Sequence, residues 1–337
     1  MGGDTRAQKL EWARIREHMQ SSTPEVPERI LGCYLHFEKI DDHKSRVTYE
    51  MKNFFDDVLS RYRALEHAPK LRTGVKTPAC SFDPASFSDP EQQSPGIMQA
   101  EAASLLMALM YGARACRPDL LQSITSTARF LHRWSKQADQ RMRQIFSYVQ
   151  ATRDTGLSGV VDDRDRECFE MHCYADADLA GSDDSCKSTS GGCLMAKGLN
   201  GTTCLLDYYS SRQKCTSHST TEAEIVSLCK LVRDCSFPSE LMWNEILKRP
   251  VRHIHWEDNV GAISIVRAGF AISMRGIVKH QRVSISALFE HFIEGKRELR
   301  HVPTALQIAD GFTKGLTTST TMQAWNTLLG LNVATAS

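Results

Sequence analysis

The chain has 337 residues, 24% charged and 41% hydrophobic, with a formal net charge of +1. That is length enough for two domains and the composition of a soluble globular protein, and the near-neutral balance argues against a highly basic, non-specific nucleic-acid binder while leaving local basic patches open. No apolar run approaches the ~18 residues of a membrane span, and the start, Met1-Gly-Gly-Asp-Thr-Arg6, has neither a signal-peptide core nor, with Arg at position 6, the myristoylation pattern. Eleven cysteines fall without a CxxC pair or a zinc-type Cys/His spacing. They read as reduced thiols inside a cell, so the expected location is cytoplasmic or nuclear, not secreted.

Residues 1–28 form a polar leader. Ile30 to Phe37 alternates apolar and polar residues and predicts a strand, Asp41 to Lys44 a turn, and Arg46 to Tyr49 the returning strand. Met51, Phe54, Phe55, Val58, Leu59 and Tyr62 recur at helical spacing. A proline-rich loop covers 69–96. Helices are expected from about Met98 to Ala115, from Pro118, and from about Lys136 to Val149, where Arg153-Asp-Thr-Gly156 supplies a glycine stop. The acid-rich run Val161 to Glu167 reads as a linker or loop. Beyond it, strands are expected at Phe169–Tyr174, Gly192–Ala196 and Cys204–Ser210, with glycine turns between them. Ser219 and Glu222 make a capping-box pattern for a helix running to about Arg233. A helix at about Pro238–Leu247, a strand at His253–Trp256, helices from Val260 and over Ser284–Glu294, a strand at Glu298–Val302 and final helices from Ala305 complete the order. Hairpins followed by helical crossovers imply an α/β fold with a mixed sheet covered by helices.

Four acids stand at conspicuous places in the second half. Asp176 lies in Tyr174-Ala-Asp-Ala-Asp-Leu-Ala-Gly181, Glu222 and Glu224 in Ser219-Thr-Thr-Glu-Ala-Glu-Ile225, Asp258 in His255-Trp-Glu-Asp-Asn259, and Asp310 in Gln307-Ile-Ala-Asp-Gly-Phe-Thr-Lys314. Acids at strand ends and on adjacent helices can converge, and a convergent cluster repels itself unless cations neutralise it. Two Mg²⁺ so held can activate water and stabilise a leaving oxygen in phosphodiester cleavage. Taken singly, each acid has a plainer reading. Asp176 is a surface charge at a strand end, Asp258 is favoured at a helix N-terminus by the dipole, and either glutamate is a solvated helix face.

The order of elements and the four acidic settings resemble ribonuclease H, and the wording resembles the copia type of retrotransposon Pol polyprotein. The residues that carry the likeness are Tyr174 to Gly181, Ser188-Thr-Ser-Gly-Gly192, Ser219 to Glu224, Asp258-Asn259 and Val302 to Lys314. Upstream, Ile30-Leu-Gly32, Thr77-Pro78, Arg117-Pro118-Asp119 and Tyr148 to Leu157 resemble the thumb and connection end of the copia-type reverse transcriptase. No Tyr-x-Asp-Asp polymerase signature is present, so the palm is absent and DNA synthesis is not expected. The chain departs from the family at Leu179, where Trp is usual, at Glu257, where Cys is common, and loosely at Lys279 to Arg282.

The resemblance implies a ribonuclease H-like five-stranded mixed sheet over 165–330, preceded at 29–160 by a smaller, mainly helical α+β domain. It implies hydrolysis of the RNA strand of an RNA–DNA hybrid, with Asp176, Glu224, Asp258 and Asp310 holding two Mg²⁺ (Mn²⁺ as a substitute). The choice of Glu224 over Glu222 rests on the family, in which the metal-binding glutamate directly precedes an apolar residue, as Glu224 precedes Ile225. Asp178, at i+2 from Asp176, is a further acid on the same face. Lys187, Ser188, Arg212, Lys214, Ser219, Asn259, Lys279 and Arg282 are the candidate nucleic-acid contacts. Expected partners are the hybrid and the remainder of the Pol polyprotein (polymerase palm and fingers, integrase), with no membrane. The competing reading is a catalytically decayed, nucleic-acid-binding transposon remnant. His253 and His255 alternate on a strand, which suggests that one of them faces inward; no Cys/His set has zinc spacing.

Overall fold

In the computed structural model the described residues are 5–20, 27–80, 89–181, 186–293 and 297–333. Parts of the leader (1–4 and 21–26), the middle of the proline-rich loop (81–88) and the end of the helix expected to reach Glu294 lie outside them. Within the leader, α1 spans Thr5–His18.

Strands β1 (Arg29–Ile30), β2 (Cys33–Lys39) and β3 (Lys44–Glu50) form an antiparallel meander. Helix α2 (Lys52–Arg63) follows, with Phe55, Val58, Leu59 and Tyr62 buried at the expected helical spacing. Then come α3 (Gln99–Ala115), α4 (Pro118–Ala128) and α5 (Lys136–Thr152). Arg117 locks the last two together. Its guanidinium is fully buried and donates to both Asp119 oxygens at 2.8 and 2.7 Å and to the Thr152 carbonyl at 2.9 Å. Removing either partner of such a pair leaves an uncompensated buried charge.

The region expected to stop a helix and lead into a linker is instead strand β4 (Thr155–Asp162). Gly156 is no helix cap. An added Cβ there would lie 2.8 Å from the Tyr49 carbonyl oxygen, so the glycine serves close approach to a neighbouring strand.

The second half supplies β5 (Glu170–Asp178), β6 (Thr189–Lys197), β7 (Thr203–Arg212), α6 (Thr220–Leu231), α7 (Phe237–Leu247), β8 (His253–Glu257), α8 (Val260–Ala268), α9 (Ile277–His280), α10 (Ile285–Ile293), β9 (Arg297–His301), α11 (Asp310–Thr313), α12 (Ser319–Leu329) and β10 (Leu331–Val333). Strands β7, β6 and β5 are antiparallel neighbours, and β8 and β9 add on in parallel. This is the expected five-stranded mixed sheet. It does not stop at β7, however: one residue pair, Val160 with Thr203, joins it to β4, giving a ten-stranded sheet in the order β1-β2-β3-β4-β7-β6-β5-β8-β9, with β10 also on β4.

Each face of the five-stranded part has its own core. Ile225, Leu228 and Leu231 of α6 pack with Met171, Cys173 and Ala175 of β5 and with α8 and α10. On the other face Tyr174, Cys193 and Met195 share a core with α2 to α5, α11 and α12. There the Phe312 ring lies 5.0 Å from Trp325 and 5.8 Å from Tyr208, whose hydroxyl donates to the Ala113 carbonyl at 2.7 Å. Helices α6 and α7 are joined by a π-helical turn, Val232–Ser236, rather than by a break. Pro238 in the first turn of α7 has no N–H to offer the regular ladder.

Candidate functional site

Asp176 is in the last third of β5 and 2% exposed. Three contacts bring neighbours to it. Ser227 of α6 donates to the Asp176 carbonyl at 2.7 Å, fixing α6 across the strand. Gln307 donates to the Ala175 carbonyl at 2.8 Å, anchoring the approach to α11. Gly191, paired with Asp176 across β5 and β6, lets α11 lie on the sheet, because a Cβ there would come within 2.7 Å of Thr313 Cγ2 and 2.8 Å of Phe312 Cβ. The Thr313 hydroxyl then donates to Asp176 Oδ2.

Helix α6 begins where the sequence places it. Ser219 Oγ accepts from the Glu222 amide at 3.1 Å, while the Glu222 carboxylate turns back to the His218 amide at 3.1 Å. Glu222 is thereby used as a cap, and Glu224, 3% exposed, reaches the end of β5. Ligand atoms of Asp176, Glu224 and Asp258 lie within 4.8 Å of one another. Asp258, half-buried between β8 and α8, accepts from Thr304 Oγ1 at 2.8 Å. Asp310 opens α11 beside this trio but outside it, and its Oδ1 accepts from Lys314 Nζ at 2.7 Å. The i, i+4 lysine is a partner that reading only adjacent positions overlooks; its ammonium is also 3.9 Å from Asp176.

The electrostatics are those of acids held together against their charge. Burial, followed by the charges of Asp310 and Asp258, raises Asp176 from 3.8 to about 6 despite the Thr313 hydrogen bond and Lys314. Burial and then the neighbouring acids push Glu224 strongly upward as well. Glu224 Oε2 is buried with no hydrogen-bond partner. Three hard oxygen donors, one of them unsatisfied, fit a divalent cation.

The candidate nucleic-acid contacts divide. Ser188 is fully buried and accepts from the Ala180 amide at 3.3 Å, and Ser219 and Asn259 are helix caps, so all three have structural duties. Arg212 pairs with Thr189 across β6 and β7, and Lys187 lies just before β6. Lys214 and Arg282 on loops and Lys279 on α9 are exposed, and the two segments are tied together by Gln281 donating to the Thr216 carbonyl at 3.3 Å. One further buried acid was read in the sequence only as a departure from the family pattern. Glu257 ends β8 fully buried, and His253, His255 and Glu257 occupy one strand face at i, i+2 and i+4. Both histidines therefore face inward, not one.

The strand order 3-2-1-4-5 within the second half, with the acids at the end of its first strand, defines a ribonuclease H-like α/β protein. Its homologues are retrovirus-related Pol polyproteins of copia-type plant transposons. The chain is 24% identical over 271 residues to the Pol polyprotein from transposon RE1 of Arabidopsis thaliana, covering 79% of this chain and 17% of that protein. It is 31% identical over 130 residues to that from transposon TNT 1-94 of Nicotiana tabacum, covering 37% of this chain and 9% of that protein. The chain thus spans less than a fifth of the length of these curated relatives. Among solved structures it is similar to ribonuclease H1 from the halophilic archaeon Halobacterium salinarum NRC-1, at 13% identity and a TM-score of 0.30 over 42% of this chain and 90% of that one. No protein-family model matches. Among the described residues no single helix is long and apolar enough to cross a membrane.

Proposed function

We propose that the chain hydrolyses the RNA strand of RNA–DNA hybrids, as the ribonuclease H part of a retrotransposon Pol polyprotein whose reverse-transcriptase thumb and connection correspond to residues 29–160. The observation that carries this is the convergence of Asp176, Glu224 and Asp258 within 4.8 Å, with an unsatisfied buried oxygen on Glu224.

Two Mg²⁺ at this centre, or Mn²⁺ in their place, would lower the pKa of the attacking water and stabilise the departing 3′ oxygen. Asp176, Glu224 and Asp258 would hold them, and Asp310 would complete the set from α11. Thr313 and Thr304 orient Asp176 and Asp258 through their hydroxyls. Lys314 moderates the charge of the two aspartates it approaches. Lys187, Arg212, Lys214, Lys279 and Arg282 would hold phosphates, and selection of the RNA strand would come from its 2′-hydroxyls.

The test is cleavage of a labelled RNA–DNA hybrid by the full chain with Mg²⁺, beside Asp258→Asn and a chelator control. We expect RNA-strand cleavage that chelation abolishes and that the variant lowers by about a thousandfold, equivalent to several kcal/mol of lost charge stabilisation. Folded chain that binds hybrid without cutting it refutes the activity in favour of a decayed, binding-only remnant.

A further inference from the structure

Helix α11 carries a cation of its own to the edge of the acid trio. The helix is a single turn, Asp310–Thr313, and Lys314 follows it, so residues 310 and 314 stand one above the other. The backbone there is fixed, with the Lys314 amide donating to the Asp310 carbonyl at 2.9 Å and the Thr313 hydroxyl donating to Asp176 Oδ2. From this anchor the Lys314 ammonium lies 2.7 Å from Asp310 Oδ1 and 3.9 Å from Asp176 Oδ2. Among the described residues no other basic side chain is within ion-pair distance of either acid. The Lys314 side chain is 48% exposed, so its ammonium has a path to solvent that the buried Asp176 lacks.

The acids offer two unequal places for a divalent cation. Asp176, Glu224 and Asp258 already converge and can take one ion as they stand. The acids left for a second are Asp310 together with Asp176, and the Lys314 ammonium lies against both. Mg²⁺ contacts its oxygen ligands at about 2.0–2.1 Å, closer than the ammonium approaches them, so ion and ammonium cannot fill this gap together. Their like charges also repel at that range, an effect that partial exposure weakens without abolishing. We propose that Lys314 is a built-in monovalent occupant of the second-cation position. In the chain without nucleic acid it bridges Asp310 and Asp176, a single divalent ion binds at the trio, and a second enters only when the lysine swings out. The proposal rests on reading the acid trio as a metal centre.

The experiment is Mn²⁺ titration of the full chain without nucleic acid, following free Mn²⁺ by electron paramagnetic resonance. Wild type is compared with Lys314→Met, with Lys314→Arg, and with Lys314→Met combined with Asp310→Asn. We expect wild type and Lys314→Arg to take up one ion per chain. Lys314→Met should take up a second, bound about tenfold or more tighter than any second ion in wild type, the scale of removing one unit charge beside an ion at a partly exposed site. Adding Asp310→Asn should remove that second ion and leave the first. The rise in melting temperature on adding Mn²⁺ should be larger in Lys314→Met than in wild type. Should Lys314→Met fail to fold, Lys314→Gln carries the same expectation. Wild type and a folded, uncharged Lys314 variant that bind Mn²⁺ in equal number and with equal affinity overturn the role of Lys314 alone. A second ion that survives Asp310→Asn lies elsewhere and overturns it as well. No Mn²⁺ bound by wild type or by the Lys314 variants overturns both this proposal and the metal-centre reading.

Discussion

Strand β8 serves two buried clusters that solve one problem in opposite ways. Toward its start, His253 Nδ1 and His255 Nε2 lie 3.1 and 2.8 Å from the hydroxyl of Ser236, which the π-helical turn presents, and His291 packs edge-on to His255 at 5.5 Å. At its end, Asp258 converges with Glu224 and Asp176, and Glu257, next to it in sequence, is fully buried. Both clusters contain ring nitrogens or carboxylate oxygens without partners. The histidines are neutral at physiological pH because burial disfavours their charged form, and two of them share a hydroxyl from inside the fold. The acids are neutralised at that pH only by taking up protons against their ordinary preference, or by a cation from outside. Both clusters are buried and polar; the candidate centre is the one whose charge a bound cation would relieve.

The largest effect that sharpens this contrast is on acid stability. Burial lowers His253 and His291, and with them His172 on β5, from 6.5 to about 4. With folded values below unfolded ones, the unfolded chain takes up protons first as pH falls. This contribution is therefore complete above about 6.5 and is lost between there and about 4. For His253 alone it amounts to about 3 kcal/mol. In urea melts at pH 7 and pH 5, the change in stability toward the lower pH should be less unfavourable in His253→Phe than in wild type, by about 2 kcal/mol. An equal change in that variant would remove His253 from the account.

Asp176 should behave in the reverse sense, slightly more weakly. Its folded value, about 6, lies above 3.8, so the folded metal-free chain keeps a proton that the unfolded chain has lost. Stability falls as pH rises from about 4 to about 6. Asp176→Asn should therefore stabilise the metal-free protein at pH 7 by up to about 3 kcal/mol and change little at pH 4, while Mg²⁺ should stabilise wild type and not the variant. A variant less stable than wild type at pH 7 would mean that the carboxylate is satisfied without a cation, and the comparison would collapse.

The smallest effect separates the clusters directly. Ser236→Ala removes one hydroxyl from two imidazoles and should cost about 1–2 kcal/mol in denaturant melts, leaving the stabilisation by Mg²⁺ unchanged. Loss of the metal response in Ser236→Ala would show that the two ends of β8 are coupled.

Much of this arrangement was legible in the sequence. Ser219 caps α6 as its position suggests, and β5 to β9 occur in the order implied by alternation and turns. The trio's members stand in the motifs that first drew attention. What escaped was decided by distant neighbours. Strand β4 carries Gly156 and Gly159 and ends in an acid, so locally it reads as a turn. Yet Gly159 is small because the Cys204 sulfur would lie 2.7 Å from a Cβ there, and Asp162 is satisfied by Arg164 at 2.8 Å. Glu257 escaped because polar residues at i, i+2 and i+4 ordinarily mark a solvent face. Here α6, α8 and α10 cover that face. Lys314 was within reach of the i, i+4 rule from Asp310, and only its nearness to Asp176 required the fold.

The attachment of β10 to β4 has a consequence in time. Leu331 to Val333 pair with Thr155 to Leu157, which lie about half the chain earlier, and Phe312 and Trp325 fill a core otherwise made largely by α2 to α5. A chain emerges from the ribosome N-terminus first, at about 5–20 residues per second. The meander and its helices must therefore wait, with an incomplete core and one side of β4 unpaired, until residues 310–333 have been made. Nascent chains halted before that point should remain protease-sensitive in the first half, which becomes resistant only when the last strand arrives.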